Sequence, residues 1–109
     1  MVVDYRAYTF RPGTVPVFME LFETVGLPIQ ERILGKHVFL GIYRTEIGNV
    51  NEVIHLWGYA DAAERGAKRA QLYDDPEFMA YVVRARELIV SQDVRLLVAS
   101  PVNPGINRA

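Results

Sequence analysis

The sequence predicts an α+β domain built on one four-stranded antiparallel sheet, its elements running strand, helix, strand, strand, helix, strand. Three observations support this. Four segments, at residues 2–10, 36–46, 50–60 and 91–99, alternate in side-chain character with the period of a strand. Helical spacing fills the gaps between the first and second of them and between the third and fourth. Ile47–Gly48–Asn49 joins the middle two as a short Gly/Asn loop of the kind that closes an antiparallel hairpin.

In the first strand Val3, Tyr5, Ala7 and Thr9 share one side, and Asp4, Arg6, Tyr8 and Phe10 the other. Arg11–Pro12–Gly13 is a turn. Thr14 then stands at an N-cap position, with Pro16 in the first helical turn. Val15, Phe18, Leu21, Phe22 and Val25 recur at helical spacing. Gly26 and Pro28 are expected to interrupt the helix before Ile29, Ile33 and Leu34 resume it, with Gly35 closing the segment. In the second strand Val38, Leu40 and Ile42 fall on one side, and Gly41, Tyr43 and Thr45 on the other. In the third, Ile54, Leu56 and Gly58 oppose Val53, His55, Trp57 and Tyr59.

Asp61 and Glu64 have the spacing of an N-cap with its reciprocal acid, so a helix begins after the third strand. Ala63, Ala67, Ala70 and Leu72 or Tyr73 give it a thin apolar stripe. Asp75 followed by Pro76 starts a second, more amphipathic helix on Phe78, Tyr81, Val82, Ala85 and Ile89. In the last strand Val94, Leu96 and Val98 alternate with Arg95, Leu97 and Ala99. Residues 1–99 thus read as a single domain and residues 100–109, with Pro101, Pro104 and Gly105, as a C-terminal tail that stays loose unless bound.

The order of elements is the split βαβ arrangement of ferredoxin-like folds. Two helical segments cover one face of such a sheet. The aliphatic side, with Tyr5, Ala7, Leu40, Ile42, Ile54, Leu56, Leu96 and Val98, is expected beneath them. That leaves Asp4, Arg6, Tyr8, Phe10, Tyr43, His55, Trp57 and Tyr59 uncovered. So many wetted aromatics would exceed the apolar patch a soluble monomer carries, which points to a homodimer with sheets packed face to face.

Composition excludes several functions. At 109 residues the chain has room for one core, and a net charge of −1 with interspersed signs leaves no footprint for nucleic acid or anionic lipid. No apolar run reaches the roughly 20 residues of a membrane span, and the start lacks a targeting pattern, so a cytoplasmic protein is expected. Without cysteine there is no thiolate nucleophile and no disulfide framework. His37 and His55 are not spaced with carboxylates as metal ligands, and no phosphate loop, nucleophile elbow or dinucleotide fingerprint is present. No metal and no cofactor is therefore assigned. Arg65, Lys68, Arg69, Arg84 and Arg86 read as solvated helix faces.

Tyr8–Thr9–Phe10–Arg11–Pro12–Gly13, then Phe18 and Phe22, Gly41, Thr45–Glu46–Ile47–Gly48, Asn51–Glu52–Val53 and above all His55–Leu56–Trp57–Gly58–Tyr59 resemble the NIPSNAP family. Asp74–Asp75–Pro76–Glu77–Phe78 and the last strand extend the resemblance to about residues 3–99. It implies a dimeric α+β barrel, similar in fold to small cofactor-independent monooxygenases, and a single-domain member of bacterial type. It brings no settled biochemical activity. Family members usually carry Glu in the first strand where this chain has Asp4, and a hydroxyl residue where it has Ala7.

His55 is the candidate for acid–base work, because an imidazole titrates near neutrality and shares its expected face with Asp4, Arg6 and several phenols. A buried histidine that merely hydrogen-bonds a neighbour is the competing reading. Asp4 and Arg6 could orient a substrate carboxylate or carbonyl, or form a buried ionic network. Tyr8, Tyr43, Trp57 and Tyr59 could line a flat apolar pocket for a small aromatic ligand, or pack an interface. The functional expectation is a small-molecule-binding dimer, with proton transfer or cofactor-independent oxygenation as its chemistry. The alternative is a non-enzymatic scaffold whose aromatic face is only a dimer core.

Overall fold

The computed structural model describes residues 1–103. The elements are β1 (Val2–Phe10), α1 (Val15–Leu21), a π-helical stretch (Phe22–Gly26), α2 (Leu27–Leu34), β2 (Phe39–Arg44), β3 (Glu52–Tyr59), α3 (Ala62–Tyr73), α4 (Pro76–Arg86) and β4 (Ile89–Val98). A short 3-10 turn at Lys36–Val38 leads into β2, so that strand begins later than expected. The sheet order is β2-β3-β1-β4 with antiparallel neighbours, the ferredoxin-like α+β arrangement. Of the expected tail, residues 100–103 form a turn, and the remainder lies outside the described residues.

Local chemistry explains the boundaries. Arg11 donates through Nε to Glu87 O at 2.8 Å, which ties the Arg11–Pro12–Gly13 turn to the end of α4. Gly13 has φ 83°, a left-handed value that glycine adopts without steric cost. Thr14 occupies the N-cap position of α1, yet its hydroxyl donates back to Arg11 O at 2.7 Å and caps no helical N–H. Asp61 accepts from Glu64 N at 2.8 Å, while Glu64 Oε2 accepts from Ala60 N at 2.6 Å, a reciprocal cap displaced by one residue. Asp75 caps α4 through Phe78 N at 3.0 Å.

Gly26 and Pro28 do not stop the first helical segment. It runs on through a π turn, in which Leu27 N bonds Phe22 O, and Pro28 enters the first turn of α2. In a regular α-helix the proline ring would press on the carbonyl of Thr24, and the widened turn before it relieves that crowding. Gly26 serves packing as well. A Cβ there would collide with the Tyr81 ring and lie 2.7 Å from its hydroxyl.

The assignment of the two sheet faces is reversed. The helices cover Asp4, Arg6, Tyr8 and Phe10 of β1 together with Val53, His55, Trp57 and Tyr59 of β3, all of them buried. The opposing helical surface is itself aromatic: Phe10 stacks on Phe18 at 4.4 Å between centroids, Phe22 meets Trp57 at 6.4 Å, and Phe78 and Tyr81 close the far end. Large rings bury more apolar area than the aliphatic side offers, and Asp4, Arg6, Tyr8, His55 and Trp57 each find a polar partner among the described residues, so the aromatic face is the core. Since the chain's own helices cover it, that face is not a dimer core. Tyr5, Leu40, Ile54 and Leu56 lie on the open side instead, with Val3 and Ala7 screened among them.

Two side chains of β2 escape this reversal, Ile42 staying beneath the helices and Tyr43 uncovered, and so part from the residues expected to share their faces. Phe39 pairs with Trp57 but Gly41 pairs with Leu56, so Leu40 is an extra residue in a β-bulge. Beyond the bulge Ile42 faces the helices with His55, whereas Tyr43, opposite Ile54, points to the open side and is 59% exposed. In β4, Val94, Leu96 and Val98 are on the helix side but extend past its cover, at this sheet edge.

Replacing Gly26 by Ala is expected to cost about 1–3 kcal/mol, because the new methyl has only the Tyr81 ring to displace. Urea unfolding checks it, and an unchanged midpoint would show that Tyr81 moves aside freely.

Candidate functional site

Between the sheet and the helices lies a cavity of about 100 Å³. Its floor is set by β1 and β3, which place Arg6 and His55 directly opposite each other across the ladder, with Tyr8 one step further along the same face. The helices supply Phe18, Gln30, Phe78 and Tyr81 as walls. Arg69 and Tyr73 of α3, Arg86 of α4 and Gln92 of β4 stand at the mouth, where Tyr73 is 51% exposed.

His55 is positioned by its neighbour on the strand. Trp57 Nε1 donates to His55 Nδ1 at 2.7 Å. An indole N–H can only donate, so Nδ1 carries the lone pair and the proton of the neutral ring sits on Nε2. Nε2 is buried and has no hydrogen-bond partner among the described residues. Tyr8 meets the imidazole edge to face at 4.7 Å. Burial, and then the nearby Arg6 charge, push the His55 pKa down to about 3. The ring is therefore neutral throughout the physiological range and carries a buried N–H on Nε2, on a residue that lines the cavity.

Asp4 and Arg6 form a buried network behind this floor. Asp4 is fully buried; its Oδ2 accepts from Arg65 Nε at 2.8 Å, and Arg6 Nε lies 3.1 Å from Oδ1 without hydrogen-bond alignment. Arg6 Nη1 donates to Tyr8 Oη at 2.8 Å. Burial opposes the Arg6 charge most strongly, yet Tyr8 and Asp4 together raise its pKa above the ordinary value. The guanidinium is thereby a fixed cation at the cavity floor. Burial also raises the Tyr81 hydroxyl, reinforced by Tyr8, which keeps it protonated. Gln30 Nε2 donates to Gly26 O at 3.0 Å, which fixes that amide in the wall.

A family model described as NIPSNAP matches residues 3–104. The chain belongs to the NIPSNAP family. Human NipSnap homolog 3A is 34% identical over 94% of this chain, and human homolog 3B 29% over the same share. The chain spans about two fifths of the length of these curated relatives, 41% in each case. Among solved structures, a NIPSNAP family protein from Agrobacterium tumefaciens is similar at TM-score 0.88 and 34% identity, covering 94% of this chain and 96% of that one. An uncharacterized NIPSNAP-like domain protein from Burkholderia xenovorans is similar at TM-score 0.88 and 35% identity, with 94% and 88% covered. A putative antibiotic biosynthesis monooxygenase from Nitrosomonas europaea shares the fold, at TM-score 0.68 and 8% identity over 91% and 98% of the two chains.

Within this NIPSNAP domain the anticipated residues divide into three groups. Arg6, Tyr8 and His55 line the cavity. Asp4 and Trp57 stand behind it and hold Arg6 and His55 in place. Tyr59 is buried outside the lining, and Tyr43 is on the opposite face of the sheet. Sequence reasoning missed Gln30, Tyr81, Arg69 and Arg86 as lining residues. Gln30 beside Ile29 in an apolar helical stripe was the available signal; the two arginines look like ordinary solvated positions until α3 and α4 are placed over the sheet. Among the described residues no group of His, Asp and Glu is arranged to hold a metal ion, and no helix is long and apolar enough to cross a membrane.

The His55 pKa fixes the sign of an acid effect. Below pH 6.5 the unfolded chain takes up a proton that the folded one refuses until about pH 3. Stability from this group is therefore whole above pH 6.5 and falls by up to about 1.4 kcal/mol per pH unit on acidification. His55→Gln, whose amide oxygen can accept from Trp57, should flatten the difference in denaturant midpoint between pH 7 and pH 4.5. An equal acid loss in both proteins would show that His55 titrates normally.

Proposed function

We propose that this NIPSNAP domain is a small-molecule-binding protein whose ligand enters the cavity between sheet and helices and accepts a hydrogen bond from His55 Nε2. The observation that carries this reading is a buried N–H without a partner among the described residues, on a side chain that lines the cavity, since such a group costs free energy unless something satisfies it. Arg6 and the Tyr8 hydroxyl it orients lie beside His55 as further polar contacts, and the aromatic walls suit an apolar or aromatic body. Asp4 positions Arg6, and Trp57 holds the imidazole in its tautomer.

The same geometry defines what chemistry the site supports. With Nδ1 engaged by Trp57 and the proton on Nε2, His55 polarises a carbonyl or enolate oxygen rather than removing a proton. Oxygenation or tautomerisation of an activated aromatic or enol would use it in that role, with Arg6 stabilising negative charge. The shared fold with the putative monooxygenase is compatible with such a step and specifies none.

The protein is further proposed to be a homodimer that pairs the open sheet face. Tyr5, Leu40, Ile54 and Leu56 on that face, with Tyr43 and Leu97 exposed at its margins, form the apolar surface that the helices leave uncovered. Cytoplasmic residence is likewise proposed, as expected from the sequence; no helix among the described residues is long and apolar enough to cross a membrane.

Two measurements test these readings. A thermal-shift panel of small aromatic and enolisable carbonyl compounds should contain members that raise the melting temperature of the wild type and not of His55→Gln; equal shifts in both would remove His55 from the site. Light scattering at micromolar concentration should give a dimer that Leu56→Asp converts to monomer, and a monomeric wild type would end the dimer proposal.

A further inference from the structure

Resting on that reading of the cavity, we propose that its ligand is a small organic anion, a carboxylate on a short apolar body, with the carboxylate held by Arg69 and Arg86 at the mouth.

The charge distribution is one-sided. Arg6, Arg69 and Arg86 line the cavity, and no Asp or Glu does. The nearest carboxylate behind the floor, Asp4, is already shared between Arg6 and Arg65. Among the described residues Arg69 is engaged only by a neutral partner: Nη2 donates to Tyr73 Oη at 2.7 Å, and its guanidinium lies 5.2 Å from the centre of the same ring. Arg86 is exposed and makes no hydrogen bond or ion pair among the described residues. Surface arginines near acids are commonly neutralised by them. Here two cations line one opening with no carboxylate among the residues that line it, and a carboxylate accepts from guanidinium N–H groups of this kind.

Size and lining determine the rest of the ligand. A dry protein cavity of about 150 Å³ is enough for benzene. At about 100 Å³ the enclosed space takes no more than one small ring or a short alkyl chain. Phe18, Phe78 and Tyr81 offer that body apolar contact, whereas an inorganic anion drawn among them would lose hydration for little return. The carboxylate therefore stays at the half-solvated mouth. Inside, the contributed groups are mainly donors, so an acceptor atom on the inner end of the ligand meets His55 Nε2.

The test uses benzoate, the near-isosteric neutral benzamide, and inorganic phosphate. The chain has one tryptophan, so its indole N–H gives one side-chain resonance, and that N–H donates to His55 Nδ1. Titrations followed at this resonance should show benzoate binding about tenfold or more tighter than benzamide at low salt, the ratio expected of one charge-assisted pair. Added salt should shrink the advantage. Arg69→Gln/Arg86→Gln should bring benzoate down to the affinity of benzamide, and Arg86→Glu, a surface change compatible with folding, should weaken benzoate further while sparing benzamide. Equal binding of benzoate and benzamide to the wild type would overturn the anion inference and leave the cavity reading intact. Phosphate matching benzoate would overturn the organic part. A benzoate preference that survives both variants would overturn the assignment to Arg69 and Arg86. If neither benzoate nor benzamide moves the indole signal up to its solubility limit, the cavity does not admit ligands of this size, and the reading on which the proposal rests fails with it.

Discussion

The structure depends on keeping one carboxylate charged where no water reaches it. Asp4 has no exposed surface, and an isolated ion so placed would cost several kcal/mol. Two arginines offset that cost: Arg6, two residues along the same strand face, and Arg65, brought down from α3. The first contact is local and follows from strand geometry. The second requires α3 to dock over the sheet, so burying Asp4 and seating the helix are one event. With Arg6 held at one end by Asp4, its other end turns to Tyr8 and the cavity. A residue whose only direct partners are arginines thus orients the polar floor of the site from behind.

That arrangement explains why the polar face can be the inner face. Hydrophobic pattern alone favours burying Ile54 and Leu56 in preference to His55 and Trp57, and by that rule the helices belong on the other side. The rule assumes that polar groups keep their full desolvation penalty. Here Trp57 Nε1 and His55 Nδ1 satisfy each other across two residues of one strand, and Asp4 is paired twice. Once those costs are removed, ring area decides, and Phe10, Trp57 and Tyr59 match the aromatic stripes of the helices.

Strand count, the two helical segments between strands and the residues of β1 and β3 that share a face were legible from alternation and capping, because period two and N-cap chemistry are local. The choice of covered face was not, since it depends on which polar groups find partners in three dimensions. Tyr43 was lost for a narrower reason. One extra residue at Leu40 shifts the pleat, and no periodicity within a six-residue strand reveals where such a bulge falls. At the site, Arg6, Tyr8 and His55 were visible as rare polar residues on an aromatic strand face. Arg69 and Arg86 were not, because each sits among other charges on its helix and gains meaning only from the opening it overlooks.

The tautomer of His55 bears on how this strand should be understood. His55 and Trp57 lie two apart, so both side chains emerge on one face, and the indole reaches the near nitrogen of the imidazole. The pair acts as a unit: Trp57 selects which nitrogen is protonated, and burial beside Arg6 keeps the ring from taking a second proton. A histidine free to exchange protons near neutrality would be a base or an acid according to pH. Held this way it is a hydrogen-bond donor of constant character, much as a backbone amide would be, but carried by a side chain in the middle of a strand where the backbone amides are committed to the ladder. The Trp57 spacing therefore supplies the sheet with a directed donor that its backbone cannot provide.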